Sequence, residues 1–387
     1  MRQQVTAFRY ATVAALFCTV RMKLLGAHLP EIAVYTDFRI AWLLAGALLL
    51  PVAQPAAAAN IDNGRQIYDT YCVTCHGAGG RLDESSPVVQ GLGVIPADFS
   101  DPLFNSREPA GDWEMVIKYG GHALGLSEQM PAQGEVLTDE QISDVTAFLK
   151  SVVDTAGFPP GEMNLFLAIR TKKAYPEDEF VYVGRYTDQD GDTAFKHVLE
   201  FEKRFGKAGQ GILELVHERE GSVSELSEAE IGWKQALLFD TSQILSAAAV
   251  VAIPVEAEGD GEFLTYLAYG RELSPSWIFQ TSLRLKFPFE GASDGEAELA
   301  GIVHWVHSPW PRRVFPALEV VATNPFRSSN GDLEWTAMPQ VRIGLTRGGH
   351  VALNLGIELP LSDQTWDQRY YMTLLWDFAD GSFFQGW

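Results

Sequence analysis

The sequence predicts a multidomain chain: a small all-α domain over residues 60–153, followed by an all-β antiparallel barrel of about 10–12 strands over residues 178–378. Three observations predict it. The run Cys72-Val73-Thr74-Cys75-His76 sits between two segments whose apolar residues recur at helical spacing. The Gly- and Pro-rich stretch Asp154 to Gly161 then ends that spacing. Beyond it, apolar and polar residues alternate over stretches of nine to thirteen residues, well past the usual strand of about five or six.

Residues 1–59 are read as a leader. From Phe38 to Ala59, Arg39 precedes an apolar run, Ile40 to Leu50, which is broken by Pro51 and followed by small residues ending in Ala57-Ala58-Ala59. That order is a secretory signal with a small-residue cleavage site, and the run is too short to span a bilayer as a helix of about 20 residues. Residues 1–37 precede it and fit a misassigned start. The leader carries Arg2, Arg9, Arg21, Lys23 and Arg39 against Glu31 and Asp37, so its removal leaves 24 basic and 48 acidic residues. Such an acidic chain excludes nucleic acid as a natural partner and favours basic redox partners. Cys18 leaves with the leader, and the two remaining cysteines give an exported protein no disulfide framework.

Cys72 and Cys75 are spaced to attach one haem through its two vinyl groups, with His76 next to them to reach the iron. A bare C-x-x-C also suits zinc or a redox dithiol. No second Cys pair exists to complete a zinc site, and no strand–helix alternation surrounds the motif as in a redox fold. The segment after it, Gly77 to Pro109, reads as a long Gly/Pro-rich loop. Thr138 and Gln141 form a capping box, and Ile142, Val145, Phe148, Leu149 and Val152 follow at helical spacing.

Around the Tyr71-to-Gly77 motif, residues from about 60 to 153 resemble the class I monohaem cytochrome c family. The resemblance implies a first helix over Asp62 to Tyr68, with Gly64 at its close contact with the C-terminal helix. It implies one covalent haem c, and it matches Met130, just before Pro131, to the family's distal iron ligand. Met115 and His122 are the other candidates; Met115 falls at helical spacing in an amphipathic segment, where core packing is its ordinary role. Iron held by both His76 and Met130 has no open position, so the expectation is one-electron transfer without a catalytic residue.

The linker is placed at 154–177, the barrel at 178–378 and a tail at 379–387. Alternation is visible from Phe195 to Phe205 and again at Ile212, Ile231, Ile244, Phe263, Trp277, Glu298, Val314, Leu333, Val351 and Tyr370, with a further segment at Phe180 to Tyr186. A tilted strand crossing a membrane needs about nine to eleven residues. In Trp277 to Phe287, Trp277, Phe279, Leu283, Leu285 and Phe287 share one face, while Gln280, Ser282, Arg284 and Lys286 share the other. Apolar outside and polar inside is the pattern of an outer-membrane barrel. Phe263 to Leu273, and Ile357 to Asp363, resemble the outer-membrane transporter family of the phenol-degradation pathway, although the tail after Phe378 departs from the usual aromatic C-terminus. His304 and His307 fall on opposite strand faces, a poor chelate.

The reading is therefore a periplasmic c-type cytochrome tethered to the bacterial outer membrane, with a basic cytochrome or a dehydrogenase as redox partner. Two other readings stay open. One is a transporter or channel with a redox-sensing haem domain. The other is a soluble cytochrome subunit with a β-sandwich docking domain.

Overall fold

The computed structural model describes residues 59–189, 192–256, 261–289, 295–325 and 333–387. Apart from Ala59, the leader lies outside the described residues.

The helical domain is built on the crossing of α1 (Ile61–Tyr71) over the last helix, α6 (Asp139–Ser151). Gly64 makes the crossing possible: a Cβ there would lie 1.9 Å from the Asp144 carbonyl oxygen. The buried Asp144 carboxylate accepts hydrogen bonds from the Asn60 backbone N (2.6 Å) and from Asn63 Nδ2 (2.7 Å). It thereby places negative charge at the positive end of α1. Both halves of the Thr138–Gln141 capping box are present at the start of α6.

Between these come α2 (Val73–His76), α3 (Pro87–Leu92), α4 (Pro102–Arg107) and α5 (Ala110–Tyr119). Two of them, α3 and α4, lie where a long loop was expected. Each opens on a proline, whose fixed φ suits a first helical position, and six residues are too few to show periodicity. Ile67, Tyr68, Phe99, Trp113, Ile142, Val145 and Phe148 pack into one core.

The second half is a closed barrel of twelve antiparallel strands, at the upper end of the expected count. They are β1 (Glu179–Gln189), β2 (Asp192–Phe205), β3 (Gly209–Glu220), β4 (Val223–Phe239), β5 (Gln243–Pro254) and β6 (Glu262–Ser274). The circuit continues through β7 (Trp277–Pro288), β8 (Glu296–Trp305), β9 (Val314–Pro325), β10 (Glu334–Gly344), β11 (Val351–Pro360) and β12 (Gln368–Asp377). Closure comes from β1, which pairs with both β2 and β12. β4 starts well before the expected Ile231, because its first turns of alternation are carried by Glu and Ser rather than by apolar residues.

The alternation is realised as written in β7: Gln280 and Ser282 are buried inside, whereas Trp277 and Leu283 are exposed outside. The outer wall is apolar between two aromatic belts. At one end Phe205 stacks on Trp233 and Trp277 on Trp305; at the other Tyr186 meets Phe195 and Tyr370, and Phe263 meets Phe287.

The lumen is not empty. From Gly161 the chain turns into the barrel and runs through it to Asp178 before β1 begins. Met163, Leu165, Ala174 and Tyr175 pack on Ile212, Ile244, Ala248 and Tyr266 of the wall. Arg170 bridges Glu298 and Glu358, and the Thr171 backbone N and Oγ1 both donate to Glu319. Gln280 Nε2 donates to the Phe166 carbonyl (2.6 Å) and Asn354 Nδ2 to that of Leu167 (3.0 Å). Residues 161–177, read as part of a linker over 154–177, are thus an internal plug.

Candidate functional site

The C-x-x-C-H motif forms a single helical turn. α2 follows α1 almost without a break, so Cys72 and Cys75 lie one turn apart with both thiols free and partly exposed. Burial pushes the Cys72 thiol up to about 11, and the neighbouring Cys75 adds to the effect.

His76 is oriented from its far side. Its Nδ1 lies 3.1 Å from the Ala97 carbonyl oxygen, and its ring packs on Phe99 with centroids 5.1 Å apart. With Nδ1 donating to that carbonyl, the free lone pair is on Nε2. Burial lowers the pKa of the imidazole below its ordinary value, which the Ala97 contact partly opposes. A neutral ring with Nε2 free is what an iron ligand requires. Behind Phe99, Trp113 packs edge-on at 5.0 Å and closes the back of the site.

Met130 comes from the loop between α5 and α6. That loop is held against α5 by Gln133 N to Ile117 O (2.8 Å) and Gly134 N to Lys118 O (3.0 Å), and Gly121 N donates to the Met130 carbonyl (3.0 Å). Gly121 must be small, since a Cβ there would meet the Ser127 carbonyl at 2.3 Å. The Met130 side chain packs against the same core as Cys72 and Val73. Met115 is half-buried on α5, and His122 is exposed; its carbonyl accepts from Arg347 Nη1 of the β10–β11 loop (3.1 Å). The fold therefore brings Cys72 and Met130 onto the core that contains Phe99, against which His76 packs, with Cys75 one turn from Cys72, and leaves His122 exposed. This donor set fits a covalently attached haem: two thiols for the vinyl groups, one free imidazole nitrogen and one thioether.

Sequence reasoning missed the residues that join this domain to the barrel. Arg107, at the end of α4, reaches Asp380 (3.2 Å) and the Ala379 carbonyl (3.1 Å). Gln385 Nε2 donates to the Gly125 carbonyl (3.3 Å), and Tyr119 packs on Trp310 of the β8–β9 loop. The tail is itself tied to the barrel rim by Trp376 Nε1 donating to Gly381 O (2.8 Å) and by His350 Nε2 beside Ser382 O (3.1 Å). All of these lie at the end of the barrel where β1 begins and β12 finishes.

The joint is rich in carboxylates. Asp112 is raised to about 6, first by burial and then by Asp380 and Glu162, with Lys150 opposing. Glu108 is raised for the same first two reasons. The signal available in the sequence was the aromatic tail Phe383, Phe384 and Trp387, which has no place in a strand.

Comparison with known proteins follows this division. Residues 59–149 match the family model described as cytochrome C oxidase, cbb3-type, subunit III. Cytochrome c-555 of Prosthecochloris aestuarii is 32% identical over 100 residues, which cover 24% of this chain and 89% of that protein. Cytochrome c6 of Thermosynechococcus vestitus is 30% identical over 106 residues, covering 27% of this chain and 82% of that protein.

Among solved structures, an outer membrane channel from Pseudomonas putida F1 aligns with a TM-score of 0.43 at 10% identity, over 55% of this chain and 99% of that one. The NanC porin aligns with a TM-score of 0.41 at 8% identity, over 51% and 98%. The closure of the barrel rests on its own strand pairing. Through residues 59–149 the chain belongs to the cytochrome c family.

Proposed function

We propose that this protein is a one-electron carrier fixed to the bacterial outer membrane, with its cytochrome domain on the periplasmic side. One haem c is attached through Cys72 and Cys75, with His76 and Met130 as the axial ligands of its iron. When bound, that group supplies an Fe(III)/Fe(II) couple whose potential a thioether ligand raises. The chain does the rest. Ala97 holds His76 in one tautomer, the Phe99–Trp113 pair excludes water behind it, and the loop tied to α5 presents Met130.

The observation that carries the reading is the joint between the halves: Arg107 and the tail fasten a cytochrome domain to one rim of a closed barrel whose outer wall is apolar between aromatic belts. A retained barrel of that kind is an anchor in a bilayer. The plug in its lumen argues against an open solute channel. The acidic surface of the chain favours a basic periplasmic redox partner, a small cytochrome or a dehydrogenase. Membrane fractionation with a heat-modifiability gel and haem staining tests the assignment. One outer-membrane band that migrates faster unheated and keeps its haem stain when denatured is expected; haem stain in a fraction released without detergent contradicts the anchor.

A further inference from the structure

We infer that the cavity beside the plug in the barrel lumen is a binding site for a small oxyanion, a carboxylate or a phosphate. The plug leaves a cavity of 390 Å³ in the lumen, lined by its residues 167–173 and by wall side chains of both charges, many of them glutamates. That is within the range of about 300–1,000 Å³ usual for small-ligand sites. The anomaly is its charge on the β12–β1 wall. Arg185 of β1 and Arg369 of β12 both face inward and line this cavity, in a chain whose formal net charge is −21.

Neither arginine is fully satisfied. The carboxylate beside them is Glu358, and its oxygens are already taken: Oε1 accepts from Arg170 Nη1 and Thr336 Oγ1 (2.8 Å each), and Oε2 accepts from Tyr371 Oη (2.9 Å). Arg369 Nη1 stands off at 3.6 Å from Oε2. Arg185 has no ion pair or hydrogen bond among the described residues, and Nε of both arginines is buried without a partner. Glu358 thus serves Arg170, which also holds Glu298, and Arg369, while Arg185 has no carboxylate of its own among the described residues.

Buried guanidinium donors left unpaired are costly, and their planar fork matches a carboxylate or phosphate in bidentate fashion. Trp366, over which the Arg369 guanidinium stacks at 4.0 Å, supplies a flat apolar wall for the rest of an organic anion. The inference rests on the closed barrel and not on the haem.

The test is calorimetric titration of the full detergent-solubilised chain with sodium phosphate, sodium succinate and sodium benzoate, at constant ionic strength. Saturable binding of at least one is expected, and the three arms separate a phosphate from a dicarboxylate or an aromatic carboxylate site. Arg185→Gln is expected to weaken that binding about tenfold or more, Arg369→Gln similarly, and Arg185→Lys, which keeps the charge and loses the fork, by less. The heat-modifiable gel shift reports barrel closure, and the haem spectrum, unchanged in every variant, keeps this result separate from the electron-transfer assignment. No saturable binding of any of the three to the folded chain overturns the inference, as does equal affinity in a folded Arg185→Gln barrel.

Discussion

At the residue scale, the proposed iron ligands His76 and Met130 differ in how much of that proposal the sequence carries. His76 follows its cysteines directly, so its place was legible from spacing. Its orientation was not, because Ala97 and Phe99 reach it only through the folded loop. Met130 was legible through family likeness alone; the hydrogen bonds that pin its loop to α5 are backbone to backbone and leave no trace in residue types. Replacing Met130 by His is expected to lower the midpoint potential, since a thioether favours the reduced iron more than an imidazole does. Spectropotentiometry of the two proteins checks the sign. Gly64→Ala is expected to destabilise the cytochrome domain by about 3 kcal/mol or more, because the added methyl collides with the Asp144 backbone across the crossing. Thermal unfolding followed by far-ultraviolet circular dichroism measures it.

At the scale of elements, long alternating strands announced themselves and the plug did not. Eleven of the twelve strands carry a period-two apolar face in the sequence, and the twelfth, Phe180 to Tyr186, is short on it. The plug was hidden by its neighbours: Asp154 to Gly161 reads as a linker, and the eye carries that reading onward. Yet Met163 to Ile169 is apolar on both faces apart from Asn164, as befits a segment surrounded on all sides, and Arg170 to Lys173 then meets the lumenal glutamates. Arg170→Ala leaves Glu298 and Glu358 buried with less compensation, an expected loss of about 3–5 kcal/mol in barrel stability. The shift in the temperature at which the heat-modifiable band disappears reports it. Replacing residues 163–173 by a Gly/Ser loop is expected to raise single-channel conductance in a planar bilayer above that of the near-silent native chain.

At the scale of the whole molecule, the joint between the halves depends on pH. Asp112 lies between Asp380, Glu162 and Lys150, and its folded pKa of about 6 exceeds the ordinary 3.8 chiefly because burial disfavours its charge. A carboxyl raised in this way favours the folded, docked state fully at pH below about 4, and that contribution is lost as pH rises through about 6. The shift corresponds to about 3 kcal/mol at most. Proteolysis within the exposed Asp154 to Gly157 turn is therefore expected to quicken between pH 5 and pH 7.5, and Asp112→Asn is expected to abolish the difference. Nothing in the sequence marks Asp112, because its neighbours come from the tail and from the entrance of the plug. Long-range joints of this kind are set by tertiary contact and have no local period.

The central claim is that Cys72, Cys75, His76 and Met130 hold one haem c that exchanges a single electron. Redox titration of the detergent-extracted full chain, followed by its visible spectrum and by the sulfur-to-iron charge-transfer band, tests it directly. The account predicts one reversible one-electron wave, a charge-transfer band in the oxidised form that Met130→Ala removes, and haem that stays on the polypeptide after acid–organic extraction. Haem lost on extraction, or a charge-transfer band that survives Met130→Ala, would contradict it.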